Sequence, residues 1–157
     1  MKDFRLPGDD ATFHFINGLN SPALDLAFTT ASTRAFGLVM GAALALWLFT
    51  TYRARSFRPI GQAIIAAAAV DFIGARLLKP FFERTRPSFA LPHEAVRVLS
   101  EAANSGSMPS LHAATSFAVA TTLLLLSPAI GRVALPLAAF IAMSRVAVGV
   151  HWPTDVY

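Results

Sequence analysis

Apolar and polar positions divide this chain into four long apolar stretches preceded by a shorter, interrupted one. Residues 35 to 52 contain no charge. At about 1.5 Å per residue they reach roughly 27 Å, close to the thickness of a bilayer's hydrocarbon core. The pattern predicts a transmembrane helix, with Trp47 and Tyr52 near its end as an aromatic belt beside Arg53, Arg55 and Arg58. Residues 59 to 79 predict a second span whose alanine run permits close packing. Asp71 and Arg76 lie inside it and are expected to face the bundle, Asp71 as a structural partner for a cation. Residues 107 to 131 predict a third span, with Ser107 as its N-cap, Pro109 in its first turn, and Ser127, Pro128 and Gly131 closing it. Residues 133 to 150 predict the fourth, with Pro136 as a kink.

Outside the spans the pattern changes. Residues 11 to 33 are apolar but broken by Asn17, Gly18, Asn20 and Pro22. Phe13, Ile16 and Leu19, then Leu24 and Phe28, recur at helical spacing, which predicts short amphipathic helices at the membrane interface. His14 reads as an interfacial histidine. Residues 88 to 106 are polar without a period and predict an extramembrane loop in which His93, Glu94, Arg97 and Glu101 are solvated.

Composition agrees with a membrane class. The 157 residues are 55% hydrophobic and 14% charged, where a soluble domain carries about 25% charged residues. Thirteen Lys and Arg against nine Asp and Glu leave a net charge of +4, which suggests cytoplasmic loops and anion sites; no basic run or stacking platform points to nucleic acid. With no cysteine, disulfides and thiolate metal sites are excluded. The opening MKDFRLPGDD is too acidic for a cleaved signal peptide. These features predict one all-α domain over residues 1 to 157, a polytopic helical bundle with interfacial N-terminal helices. Four crossings place the loop after the second span and the turn after the fourth on one face, opposite Arg53, Arg55, Arg58 and Arg132. By the positive-inside rule that face is not cytoplasmic.

Three polar clusters meet there. Lys79 is followed after six residues by Arg86-Pro87; then come Pro109-Ser110-Leu111-His112; last, Ser144-Arg145 is followed by His151 and Asp155. Lys79, Arg86 and Arg145 are three cations, two of them with planar forks that match phosphate oxygens. Ser110 and the free N–H groups of a helix starting near Pro109 add donors along a favourable dipole. Gly149 and Pro153 bracket a turn that holds His151, and Asp155 can reach back to fix the imidazole's tautomer. Two histidines flanking a phosphoryl group can divide the work, one attacking phosphorus and the other protonating the departing oxygen. The cations meet the charge that builds on the equatorial oxygens, so the chemistry calls for no metal and no other cofactor.

Taken in order, Lys-x6-Arg-Pro, Pro-Ser-x-His and Ser-Arg-x5-His-x3-Asp resemble the three signature motifs of the type 2 phosphatidic acid phosphatase superfamily, which shares its site with vanadium haloperoxidases. The resemblance covers residues 79 to 155 and, more loosely, the FHFINGLNSPALD stretch. It implies His151 as the nucleophile that forms a phosphohistidine, Asp155 as its orienting group and His112 as the acid. Lys79, Arg86, Ser110, the Leu111 backbone and Arg145 would bind phosphate, with Ser105 and Gly106 as further backbone donors. A bacterial inner-membrane enzyme acting outside the cytoplasm is implied, similar to undecaprenyl diphosphate phosphatases, with phosphatidate and phosphatidylglycerophosphate as neighbouring substrates.

Two departures qualify the match. Leu111 stands where the family has glycine; it keeps the backbone N–H but is expected to narrow the entrance. The sequence also stops at Tyr157, where the family's last transmembrane helix is expected, which suggests a truncated form with His151 and Asp155 on a fraying end. The competing reading is a non-catalytic protein that binds or moves phospholipid headgroups with the same cations. A vanadate-dependent peroxidase is a third, against which the spans argue.

Overall fold

The structure, a computed structural model, describes residues 1–156. Two short helices, α1 (Asp9–Asn17) and α2 (Pro22–Ala31), precede the first long one, α3 (Arg34–Tyr52). Ser21 caps α2 by accepting from the Leu24 N–H at 3.2 Å, with Pro22 at the first helical position. Thr33 caps α3 through the Phe36 N–H at 3.1 Å. Arg53, at φ 53°, ends α3 and opens a 3-10 turn into α4 (Phe57–Ile73).

A π-helical turn, Gly74–Leu78, joins α4 to the single-turn α5 (Lys79–Phe82). A π turn inserts an extra residue and rotates the succeeding side chains about the helix axis, and such turns concentrate at functional sites. Here it precedes Lys79. The short helix α6 (Pro87–Ala90) and a 3-10 turn occupy the loop, followed by α7 (Leu111–Leu126), α8 (Pro128–Ala147) and a last 3-10 turn, Pro153–Asp155. Helix α7 packs between α4 and α8, while α3 touches the bundle sparsely. Small side chains, Ala113, Ala120, Ala138 and Ala142, are buried at these crossings, as close approach of membrane helices requires.

The larger apolar core lies at one end of the bundle, beneath the polar loops. Phe13, Val96, Val146 and Trp152 form one cluster; Phe28, Ala147, Val148 and Val150 form the other. The short N-terminal helices therefore cap the ends of α8 and the loop beyond it. Asn17, read from sequence as a helix breaker, joins three segments: its Nδ2 donates to the Arg97 and Ala147 carbonyls at 2.8 Å, and its Oδ1 accepts from the Arg97 N–H at 2.9 Å.

Several expectations are corrected. Helix α7 starts at Leu111 with Ser110 as its N-cap, so Ser107 and Pro109 precede the helix. Arg97 is half-buried and bound rather than free in the loop: its guanidinium grips Asp25 at 2.7 and 2.8 Å and donates to the Asn17 and Leu19 carbonyls. Asp71 and Arg76 are exposed on the outer side of their helix and form no ion pair among the described residues, because α4 packs mainly on α7. The expectation attached to Tyr157 lies outside the described residues.

Candidate active site

The turn after α8 is built by Gly149 at φ 84°, a conformation that L side chains rarely adopt. A Cβ there would also lie 2.5 Å from the Arg97 carbonyl oxygen. Glycine thus lets the chain reverse against the loop and bury His151. Pro153 opens the following 3-10 turn, and Asp155 Oδ2 accepts both from the Trp152 N–H at 2.8 Å and from His151 Nδ1 at 3.4 Å. His151, Trp152 and Asp155 are all buried, in contrast to the fraying expected of this segment.

The other face of the imidazole meets Arg86. Its Nη1 lies 3.1 Å from His151 Nε2 and donates to the Val150 carbonyl at 2.9 Å. An aspartate can only accept and a guanidinium can only donate, so the partners select the neutral ring with its proton on Nδ1 and its lone pair on Nε2. Burial, the largest influence, pushes the His151 pKa down to about 3; Asp155 pulls it up, while Arg86 and Arg145 reinforce burial. Burial alone would raise the Asp155 pKa, but the His151 hydrogen bond and charge, Arg84 and the Trp152 N–H outweigh it and hold the carboxyl below its usual range. Arg86 is also lowered, by burial, with Asp155 opposing.

The remaining residues expected at the site come together around this pair. Lys79 Nζ donates to the Gly106 carbonyl, which also accepts from Arg86 Nη2 at 3.4 Å. Arg86 Nε donates to the Ser105 carbonyl at 3.0 Å, while the Ser105 N–H is engaged by Ala103. Ser105 and Gly106 thus orient cations with their carbonyls, a role the sequence did not suggest. The Ser110 N–H donates to the Asp155 carbonyl at 2.8 Å, which fastens the start of α7 to the histidine turn. The Ser110 hydroxyl, buried, has no hydrogen-bond partner among the described residues and does not cap the helix. Arg145 donates through Nη1 to the Ser32 carbonyl at 2.8 Å and to the Ser32 hydroxyl, while its buried Nε has no partner among the described residues. His112, half-buried in the first turn of α7, lies within the field of Arg145, Arg34, Arg86 and Lys79.

Leu111 Cδ2 lies 2.5 Å from where a Cβ on Gly74 would be, so the side chain packs against the π turn of the neighbouring helix, with the Leu111 backbone at the start of α7.

Three charged residues escaped the sequence reading. Arg84, wholly buried, donates through Nη1 to Asp155 Oδ1 at 2.7 Å and through Nη2 to Asp9, while its Nε bonds the Phe4 carbonyl. Asp9, equally buried, also accepts from the Thr154 N–H at 3.1 Å. The first turn of α1 therefore holds Asp155 through Arg84. Arg84 lies two residues before Arg86, but nothing local marks its partner 75 residues away. Arg34, at the first turn of α3, is close enough for its charge to act at both His112 and Arg145. Among the described residues no three His, Asp or Glu side chains are grouped so as to hold a metal ion.

The sequence pattern of the PAP2 superfamily matches residues 59–157, which contain all three clusters. The chain belongs to the PAP2 superfamily. Among solved structures, the crystal structure of Aquifex aeolicus LpxE is similar at a TM-score of 0.73, with 30% identity over 99% of this chain and 88% of that one. A transmembrane PAP2-type phosphatidylglycerolphosphate phosphatase from Bacillus subtilis has the same fold at a TM-score of 0.67 and 23% identity, covering 94% of this chain and 75% of that one. Comparison with curated protein sequences gives no match. A PAP2 helical membrane bundle is therefore the fold, and the histidine turn lies at one end of it.

Proposed function

We propose that this PAP2 protein is an integral membrane phosphatase that releases phosphate from a lipid phosphomonoester or diphosphate through a phosphohistidine at His151. The observation that carries the proposal is the double constraint on that ring, a carboxylate on Nδ1 and a guanidinium on Nε2. It keeps the imidazole neutral and aims a lone pair at the place where Arg86 would hold a phosphate oxygen.

In the first step Nε2 attacks phosphorus, the bond from phosphorus to the lipid oxygen breaks, and His112 supplies the proton that oxygen takes up. The phosphorylated ring becomes cationic, and Asp155 stabilises it through Nδ1–H. In the second step a water gives its proton to His112, attacks phosphorus and displaces Nε2, releasing phosphate and restoring the neutral ring. Lys79, Arg86 and Arg145 meet the equatorial charge, aided by the Ser110 hydroxyl and the N–H groups opening α7. The residues alone supply these roles, so the reading is metal-independent.

Arg53, Arg55, Arg58 and Arg132 at the opposite end support, by the positive-inside rule, a site on the non-cytoplasmic face, which in a bacterium is periplasmic or exterior. The substrate is read as undecaprenyl diphosphate, phosphatidate or phosphatidylglycerophosphate, since the clusters address the phosphate and not the tail. Phosphate release from the three, assayed in parallel with His151→Ala, is the test. The variant should bind the headgroup and release no phosphate. Turnover unchanged in His151→Ala would remove the nucleophile assignment, and binding without turnover in the parent would favour the headgroup-binding alternative.

A further inference from the structure

The end of the bundle remote from His151 holds chemistry that the phosphatase reading leaves unused. There α3 turns into α4 and α7 into α8, and the turns and adjoining first helical residues carry Arg53, Arg55, Arg58 and Arg132. No aspartate or glutamate occurs between Asp25 and Asp71, nor between Glu101 and Asp155, so neither turn provides a counter-charge. Among the described residues none of the four arginines forms an ion pair.

A cleft of about 360 Å³ opens between the two turns. Arg55, Arg58 and Tyr52 line it on one side; Leu123, Leu126 and Ile130 make the other apolar. Its volume falls within the range of small-molecule sites, about 300 to 1,000 Å³. Along helix α7 the rise from His112 to the cleft's Leu123 and Leu126 is about 16 to 21 Å, so the cleft and the catalytic end cannot share one small ligand.

Arginines that only flank a membrane span need water around them. Two guanidinium forks on the wall of a leucine-lined cleft, without a carboxylate at that end, instead match an anion that arrives with an apolar tail. The tail has a route, because α3 contacts the bundle sparsely and its Leu48 and Tyr52 line the cleft opposite the α7 leucines.

We propose that this cleft binds the phosphodiester headgroup of an anionic phospholipid from the leaflet opposite the active site, with the phosphate on Arg55 and Arg58 and an acyl chain between α3 and α7. Native mass spectrometry of the full chain released from detergent micelles, titrated with phosphatidylglycerol, phosphatidylcholine and inorganic phosphate, tests it. Phosphatidylglycerol should be retained at collision energies that strip phosphatidylcholine. The double variant Arg55→Gln/Arg58→Gln should weaken that retention about tenfold while hydrolysing a short-chain lipid phosphate at the parent rate, which also shows that it folds. Arg86→Gln, at the catalytic end, should keep the lipid. Equal retention of the two lipids, undiminished retention in the double variant, loss of the lipid in Arg86→Gln alone, or its displacement by inorganic phosphate would each overturn the proposal.

Discussion

His151 and Asp155 show how much can rest on two side chains. The carboxylate fixes a proton on Nδ1, and only then is the Nε2 lone pair available where Arg86 waits. Asp155→Asn keeps the shape but can present an N–H to Nδ1 and so favour the other tautomer. By analogy with catalytic triads, kcat should fall by about 10³- to 10⁴-fold with a smaller change in KM, measured as steady-state phosphate release. The buried ring also links pH to stability. Its pKa is lowered from 6.5 to about 3, so the unfolded chain binds the proton more readily between those values. The contribution is therefore fully present above about pH 6.5 and declines as the pH falls toward about 3. Melting temperatures taken across that range in detergent should fall more steeply for the parent than for His151→Gln.

At the scale of elements, short segments hold the site in register. Helix α1 makes a buried chain from Asp9 through Arg84 to Asp155, and Trp152 packs 5.3 Å from the Phe13 ring at its side. Arg84→Met would leave two carboxylates buried without their cation. Breaking a buried pair costs about 3 to 5 kcal/mol, so thermal or denaturant melts should show a loss of that order. Asp9→Asn, which retains an oxygen for Arg84, should lose less. Sequence periodicity located α1 because Phe13 and Ile16 share a face, yet it said nothing of Asp9, whose value lies in what it touches rather than in spacing. The same holds for Leu111. Read as a departure from a motif it suggested a narrowed entrance; the fold adds that the side chain packs against Gly74 on the neighbouring helix.

Taken whole, the molecule separates its charges by end. The site end gathers Lys79, Arg86 and Arg145 around two histidines and an aspartate, and the far end holds arginines that form no ion pair among the described residues, two of them on a cleft. If those site cations suffice for the equatorial charge, phosphate release should continue undiminished in excess chelator, and vanadate should inhibit by adopting the five-coordinate geometry of phosphorus in flight. A chelator-sensitive rate, restored by adding back a divalent metal, would overturn the metal-independent mechanism.

The sequence by itself determined the helical class, the long apolar segments, the turn around Gly149 and the residue types of the three clusters. Hydrophobic period, cap chemistry and backbone preference are local, and each can be read within a window of a few turns. Only tertiary structure decided that Arg84 joins Asp9 to Asp155, that Arg97 grips Asp25, that Ser105 and Gly106 face the cations with carbonyls, and that Asp71 stays outside the bundle. Those outcomes depend on which groups meet across 70 or more residues for Arg84 and Arg97 alike, and a buried charge takes whichever partner the closed fold brings within reach.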